Sequence, residues 1–271
     1  MVKIRQMVVA GQFYPASANE LRKQISSLIS SKRDKENCLA CILPHAGYVY
    51  SGKVAAQTIS SVNIKDKVIL LGPNHTGIGA PFSIMTEGTW ETPLGKVEVD
   101  TDLAKKLLEN SKFLTEDALA HTHEHSLEVE LPFLQYFKPE IRIIPVTFMS
   151  NDLSKLKAVG EEIAGVIKKY LIQNSTMIIA SSDMTHYEPQ IEASKKDAIA
   201  IESILELDED KLFEQVKKLD ITMCGLAPVI VMIRAAKSLG AKSAKLVKYQ
   251  TSGDVTGDTS SVVGYAGITI T

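Results

Sequence analysis

Lys67-Val-Ile-Leu-Leu-Gly-Pro-Asn-His-Thr-Gly77 decides the fold. Its apolar residues follow one another without the polar alternation of a half-exposed strand, so the run reads as a strand buried on both faces, as in a parallel sheet. Gly72-Pro73 then forces a turn, and His75 follows at once. The pattern recurs. Cys38-Leu-Ala-Cys-Ile-Leu43 runs into Pro44-His-Ala-Gly47, and Thr176-Met-Ile-Ile-Ala180 runs into Ser181-Ser-Asp-Met-Thr-His186. Further strands are expected at Ile141–Val146, Lys245–Gln250 and Val262–Ile270, with Pro145 marking a strand end or an edge. Helical spacing predicts helices over residues 17–29, 52–62, 101–110, 126–137, 153–171, 191–205, 210–219 and 225–239. Phe82 to Val99 reads as a hairpin-like excursion near the sheet, and charged Ser30 to Asn37 as a surface turn. Strands alternating with helices predict the α/β class: one domain over residues 1–271, with a mostly parallel central sheet and helices on both faces.

Composition narrows the function classes. The chain has 271 residues, 45% of them hydrophobic and 23% charged, with a net charge of −2, values ordinary for a globular domain. No basic excess is present to neutralise phosphates, which argues against nucleic acid and an anionic membrane surface. Met1-Val-Lys-Ile-Arg-Gln6 has no apolar signal core, and no apolar run reaches spanning length, so the expected location is the cytoplasm. Three cysteines, Cys38, Cys41 and Cys224, do not make a disulfide framework. Cys38-Leu-Ala-Cys41 has metal-knuckle spacing, but no second pair completes a tetrahedral site, and both fit a buried strand as small apolar residues.

The chemistry collects at the strand ends. In parallel sheets the loops after the strands converge on one crevice, so His45, His75, His186 and Cys224 can meet although distant in sequence. His45 and His75 occupy matched loop positions beside Pro and Gly. Cys224, in Thr222-Met-Cys-Gly225, precedes an apolar helix whose N-terminus would favour thiolate. Two imidazoles and a thiolate suit a first-row metal. Asp183 and His186 offer a carboxylate able to orient an imidazole that moves protons. His121-Thr-His-Glu-His125 is the densest cluster; Glu124 and His125 are expected to point into the crevice, whereas His121 and His123 remain open. A solvated loop and a structural buried cysteine are the plain alternatives. Neither a dinucleotide GxGxxG, nor a Walker lysine, nor a GxSxG elbow is present.

Ala10-Gly-Gln-Phe-Tyr-Pro15, Pro44-His-Ala-Gly-Tyr-Val-Tyr-Ser-Gly52, Gly72-Pro-Asn-His75, Glu124-His-Ser-Leu-Glu-Val-Glu-Leu-Pro132, Ser181-Ser-Asp-Met-Thr-His186 and Met223-Cys-Gly225, in this order, resemble the Memo family. Its prokaryotic members are called AmmeMemoRadiSam system protein B. That family is similar to class III extradiol dioxygenases, non-haem Fe(II) enzymes, so the resemblance implies a LigB-like dioxygenase fold. It also implies a metal site in which His45 and His75 take the two His positions, Cys224 stands where a carboxylate would be, and His186 is a further pocket His beside Asp183. Thiolate in place of carboxylate shifts the preference toward Cu(I) or Zn and changes how iron would meet oxygen. Partnership with an Ammecr-type protein and a radical S-adenosylmethionine enzyme is implied by the same resemblance. Three readings follow: a redox protein or oxidoreductase binding Fe(II) or Cu, a non-enzymatic module that uses the cleft for a peptide or protein ligand, and a zinc-dependent hydrolase.

Overall fold

The unbroken apolar runs become strands stacked side by side, and the computed structural model describes residues 3–29 and 35–271 of the chain. The strands are β1 (Ile4–Arg5), β2 (Ala40–Leu43), β3 (Lys67–Pro73), β4 (Phe82–Ile84), β5 (Thr89–Thr92), β6 (Gly95–Val99), β7 (Thr115–Glu116), β8 (Arg142–Phe148), β9 (Thr176–Ser181), β10 (His186–Glu188), β11 (Ala244–Thr251) and β12 (Val262–Ile270). The helices are α1 (Ala18–Leu28), α2 (Gly52–Ser60), α3 (Thr101–Glu109), α4 (Leu131–Phe137), α5 (Leu153–Lys169), α6 (Gln190–Leu205), α7 (Glu209–Lys218), α8 (Leu226–Ser238) and α9 (Gly253–Thr256).

The strands form one sheet in the order β1-β5-β6-β8-β3-β9-β2-β12-β10, with β11 on β12 and β4 on β8. Its centre, β6-β8-β3-β9-β2, is parallel throughout. Beyond β2 the pairing is antiparallel, since β12 runs against β2, β10 and β11; at the other side β5 runs against β6, while β1 pairs with β5 in parallel. Residues 68–71 of β3, 40–43 of β2 and 177–180 of β9 are fully buried, which explains their lack of alternation. Helices flank the sheet: α8 packs on β3 and β9 with α5 outside it, while α2 packs on β2 and β12 with α1 and α4 against it. α8 is apolar nearly all round because it lies between α5 and the sheet. α5 is more conventional: Asp152 caps it by accepting from the Ser154 and Lys155 amides, and Lys168 and Lys169 sit at its negative end. This is the expected mostly parallel α/β architecture.

Several local expectations are revised. Pro145 is neither at an edge nor at an end: it pairs in register with Leu70 inside β8. On its other side β6 pairs only as far as Ile143, and β4 begins opposite Val146, so the missing N–H falls where one neighbour gives way to the next. The helix expected from residue 126 starts at Leu131, with Pro132 in its first turn. Residues 126–130 are turns instead, because Glu128 and Glu130 are drawn inward to buried polar partners. The excursion at 82–99 is built into the sheet itself: β5 and β6 form a hairpin, and β6 pairs in parallel with β8. Residues 30–34 of the expected surface turn lie outside the described residues. Among the described residues, no helix is long and apolar enough to cross a membrane.

Candidate metal centre

Adjacent strands β3, β9 and β2 end at Pro73, Ser181 and Leu43, so the residues just beyond them, His75, Asp183 and His45, share one edge of the sheet. His45 is buried, with Nδ1 2.8 Å from Ser181 Oγ. That hydroxyl also lies 2.9 Å from the Ser126 carbonyl and 2.9 Å from Glu130 Oε1. A hydroxyl has a single proton to donate. With its proton given to the Ser126 carbonyl, which can only accept, Ser181 faces the tautomer in which Nδ1 carries the ring proton and Nε2 is bare.

His75 is prepared in the same sense by a different group. Its backbone N–H donates to one Glu124 oxygen, and its Nδ1 lies 2.9 Å from the other. Burial works against the Glu124 charge, yet the His75 contact and the Ser126 and His75 amides outweigh it and hold its pKa down to about 2. A carboxylate only accepts, so Nδ1 of His75 carries the proton and Nε2 is again available. Burial likewise opposes the His75 imidazolium, but the Glu124 hydrogen bond and charge prevail and raise its pKa.

His125 follows Glu124 directly and brings a third ring. The ring centroids are 5.2 Å apart for His45 and His75, 5.6 Å for His45 and His125 and 4.8 Å for His75 and His125. Ligand atoms of these three residues all lie within 4.8 Å of one another, a group that could hold a metal ion. Burial, and then the neighbouring His75 charge, lowers the pKa of His45; burial also lowers that of His125, so both stay neutral and ready to ligate.

Cys224 reaches the same place from the loop before α8. Its Sγ is 3.3 Å from His45 Nε2 and accepts from the Asp183 amide at 3.3 Å. The helix start was expected to favour thiolate, but burial and the nearby Asp183 charge dominate and raise the thiol's pKa. Without a metal the sulfur is a thiol.

Asp183 and His186 are both brought to the cleft, without a hydrogen bond between them. Asp183 Oδ1 accepts from the His45 amide at 2.9 Å, tying the two loops together. Burial raises its pKa to about 6, against the opposing effects of His186 and the His45 and Ala46 amides. His186 instead has Nδ1 3.0 Å from the Thr222 carbonyl oxygen. The His121–His125 segment splits: His121 is buried edge-on to Trp90, His123 is exposed, and neither lines the cleft. Cys38 and Cys41 are buried free thiols; burial pushes the first up to about 11 and raises the second further above its ordinary value, as core residues require.

The cleft has a volume of about 550 Å³. Its walls include Phe13, Tyr50, Tyr187 and Tyr265, none of which sequence reasoning singled out. Tyr187 had one signal in principle, its place beside His186, but its exposure arises from a bulge in β10 where its φ is 61°. Ser181, as the partner of His45, and Glu130, as a partner of Ser181, were also missed.

The family model described as Memo-like protein matches residues 5–269. The chain belongs to the Memo family. Relatives in the Memo family include a MEMO1 family protein of Methanopyrus kandleri, 45% identical and covering 97% of this chain and 98% of its own length. Another from Aquifex aeolicus is 42% identical, covering 98% of this chain and 99% of its own. Among solved structures, an uncharacterized protein from Escherichia coli K12 is similar with a TM-score of 0.56 and 13% identity, over 85% of this chain and 98% of that one. At that identity the likeness concerns the fold alone.

Proposed function

We propose that this Memo-family cleft is a redox-type metal centre in which His45, His75 and Cys224 hold iron or copper, with His125 beside them. The observation that supports it most is the double preparation of the imidazoles. Ser181 and Glu124 each occupy an Nδ1, which fixes the tautomer that leaves Nε2 as a ligand, the usual arrangement behind metal-binding histidines. The sulfur 3.3 Å from His45 Nε2 supplies a soft third donor. Imidazoles with thiolate suit Fe(II), Cu or Zn, and a bound Fe or Cu ion would supply one-electron chemistry.

The chain's own groups complete the reading. Asp183, with a pKa of about 6, exchanges a proton near neutrality. His186 lines the same cleft and serves as a second proton carrier. The aromatic walls limit water and present flat apolar surface to a substrate. The LigB-like dioxygenase ancestry and the cytoplasmic location belong to this proposal. The test is anaerobic purification with elemental analysis and optical spectroscopy. About one metal per chain is expected, with a thiolate-to-metal charge-transfer band. Cys224→Ser should lose that band and most of the metal, and full retention of metal in the variant defeats the ligand set. Zinc alone, with ester or amide hydrolysis, would select the hydrolase reading.

One observation favours a second reading as a peptide-binding module. Tyr187 is 80% exposed and Tyr50 41% exposed, and both line the cleft. Peptide binding that survives chelation would select it.

A further inference from the structure

Arg5 and Glu128 form a buried ion pair that the metal-centre reading does not use, with side chains 3% and 0% exposed. Arg5 does more than pair. Its Nε donates to the His121 carbonyl at 3.0 Å, and its Nη2 donates to the Glu124 carbonyl at 2.5 Å, while Nη1 meets Glu128. One guanidinium thus grips the segment 121–128 at its start, middle and end. Glu128 turns its other oxygen to the opposite partner: Oε1 accepts from the Val8 and Val9 amides at 3.1 Å each and from the Tyr14 hydroxyl at 2.5 Å. The N-terminal stretch 5–14 and the segment 121–128 are laced together through these two side chains.

What they lace together is the cleft. Glu124, held by its carbonyl, is the group that fixes His75. His125, the next residue, rests edge-on against Phe13 at 5.0 Å, and Phe13 precedes the Tyr14 that Glu128 holds. A buried charge pair is costly to assemble, and an apolar pair of similar size would hold two loops together as well. The fork geometry instead supplies direction, since a guanidinium fixes several acceptors at set angles and a lysine does not.

We propose that Arg5, Glu128 and Tyr14 are positioning residues of the metal centre, setting through Glu124 the orientation of His75 and through Phe13 the place of His125. The inference rests on the metal-centre reading, and its test separates the two.

Arg5→Met, Arg5→Lys and Tyr14→Phe full-length proteins are compared with wild type by anaerobic Fe(II) and Cu(I) competition against a chromogenic chelator. Thermal unfolding and long-range 1H–15N spectra of the imidazoles are recorded on the metal-free proteins. Removing such an outer partner is expected to weaken metal binding at least tenfold for Arg5→Met. Arg5→Lys, which keeps the charge but reaches fewer acceptors, should fall between it and wild type. The His75 signal should move from a single Nδ1–H tautomer toward a mixture in Arg5→Met. A purely structural clamp would lower the unfolding temperature alone; dissociation constants within twofold of wild type and an unmoved His75 spectrum in both Arg5 variants overturn the proposal. If Arg5→Met does not fold, Arg5→Lys and Tyr14→Phe are read by the same two signals. If wild type binds neither metal, the metal-centre reading fails, while a shifted His75 tautomer still upholds the positioning role.

Discussion

Replacing Glu124 by Gln tests the hinge of the site in a measurable way. The carboxylate is 1% exposed and accepts from the His75 amide, from His75 Nδ1 at 2.9 Å and from the Ser126 amide at 2.8 Å. Gln keeps the shape but turns one of the two oxygens into a donor, which then faces an N–H. The size of the effect follows from the carboxyl's surroundings. A pKa held at about 2 in place of the ordinary 4.5 is a preference for the charged form worth roughly 3 kcal/mol in the folded state. The raised pKa of His75 is the same contact viewed from the partner and is not added. The sign is that of a depressed carboxylate: the contribution is complete above pH ~4.5 and is lost as the pH falls toward ~2. Chelator-treated Glu124→Gln should therefore be about 2–3 kcal/mol less stable than wild type in urea at pH 7, and the gap should narrow below pH 4.5. Equal stability at pH 7, or a gap that does not narrow in acid, refutes the reasoning.

Two other outcomes follow from the packing. His121 is buried with its pKa lowered to about 4, chiefly by burial and then by the Arg5 charge. The unfolded chain takes up that proton first, near 6.5, so stability should drop by roughly 3 kcal/mol as the pH falls from 6.5 to 4, and His121→Gln should flatten that stretch of a urea-midpoint-against-pH curve. A Cβ added at Gly225 would lie 2.3 Å from the Ser182 Cβ and 2.5 Å from the Ser181 carbonyl oxygen, so Gly225→Ala must push the Cys224 loop off β9. The expected cost is about 1–3 kcal/mol in a thermal melt together with loss of bound metal by elemental analysis.

How far the sequence carried these conclusions depends on what kind of contact was needed. Strand Val262–Ile270 and the run at Lys67 were readable because burial on both faces leaves an unbroken apolar signature. His45 and His75 were readable for a related reason: a parallel sheet sends its strand ends to one edge, and β3 and β2 flank β9. The start of α4 was not, because Glu128 and Glu130 look like the exposed face of a helix until Arg5 and Ser181 appear as their partners more than fifty residues away. The hydrogen-bond partners of Asp183 and His186 were hidden for the opposite reason. Short spacing suggested contact, but the chain turns into β10 between them, and each takes a backbone partner on another loop. The aromatic walls were hidden because Phe13, Tyr50 and Tyr265 come from three distant segments with no common pattern.

The buried thiol gives the ligand question a thermodynamic form. Cys224 lies in the cleft with its pKa raised, so in the metal-free protein it holds its proton throughout the neutral range. His45 and His125 have lowered pKa values and have no proton to release there. Metal ligation needs a thiolate, so binding must expel the thiol proton, and affinity must rise with pH. His75, with its raised pKa, is a second group that can release a proton, so the window is set high and the thiol's share is read by difference from Cys224→Ser. Between about pH 8 and 9, above the ordinary imidazole range, the thiol adds one released proton. The logarithm of the Fe(II) association constant, measured anaerobically by chelator competition in that window, should then climb by about one per pH unit. In Cys224→Ser the slope should fall by about one, because serine has no proton to give in that range. A wild-type slope near zero would mean that the sulfur 3.3 Å from His45 Nε2 keeps its proton when metal binds. In that case the three imidazoles, not the thiol, would carry the ion.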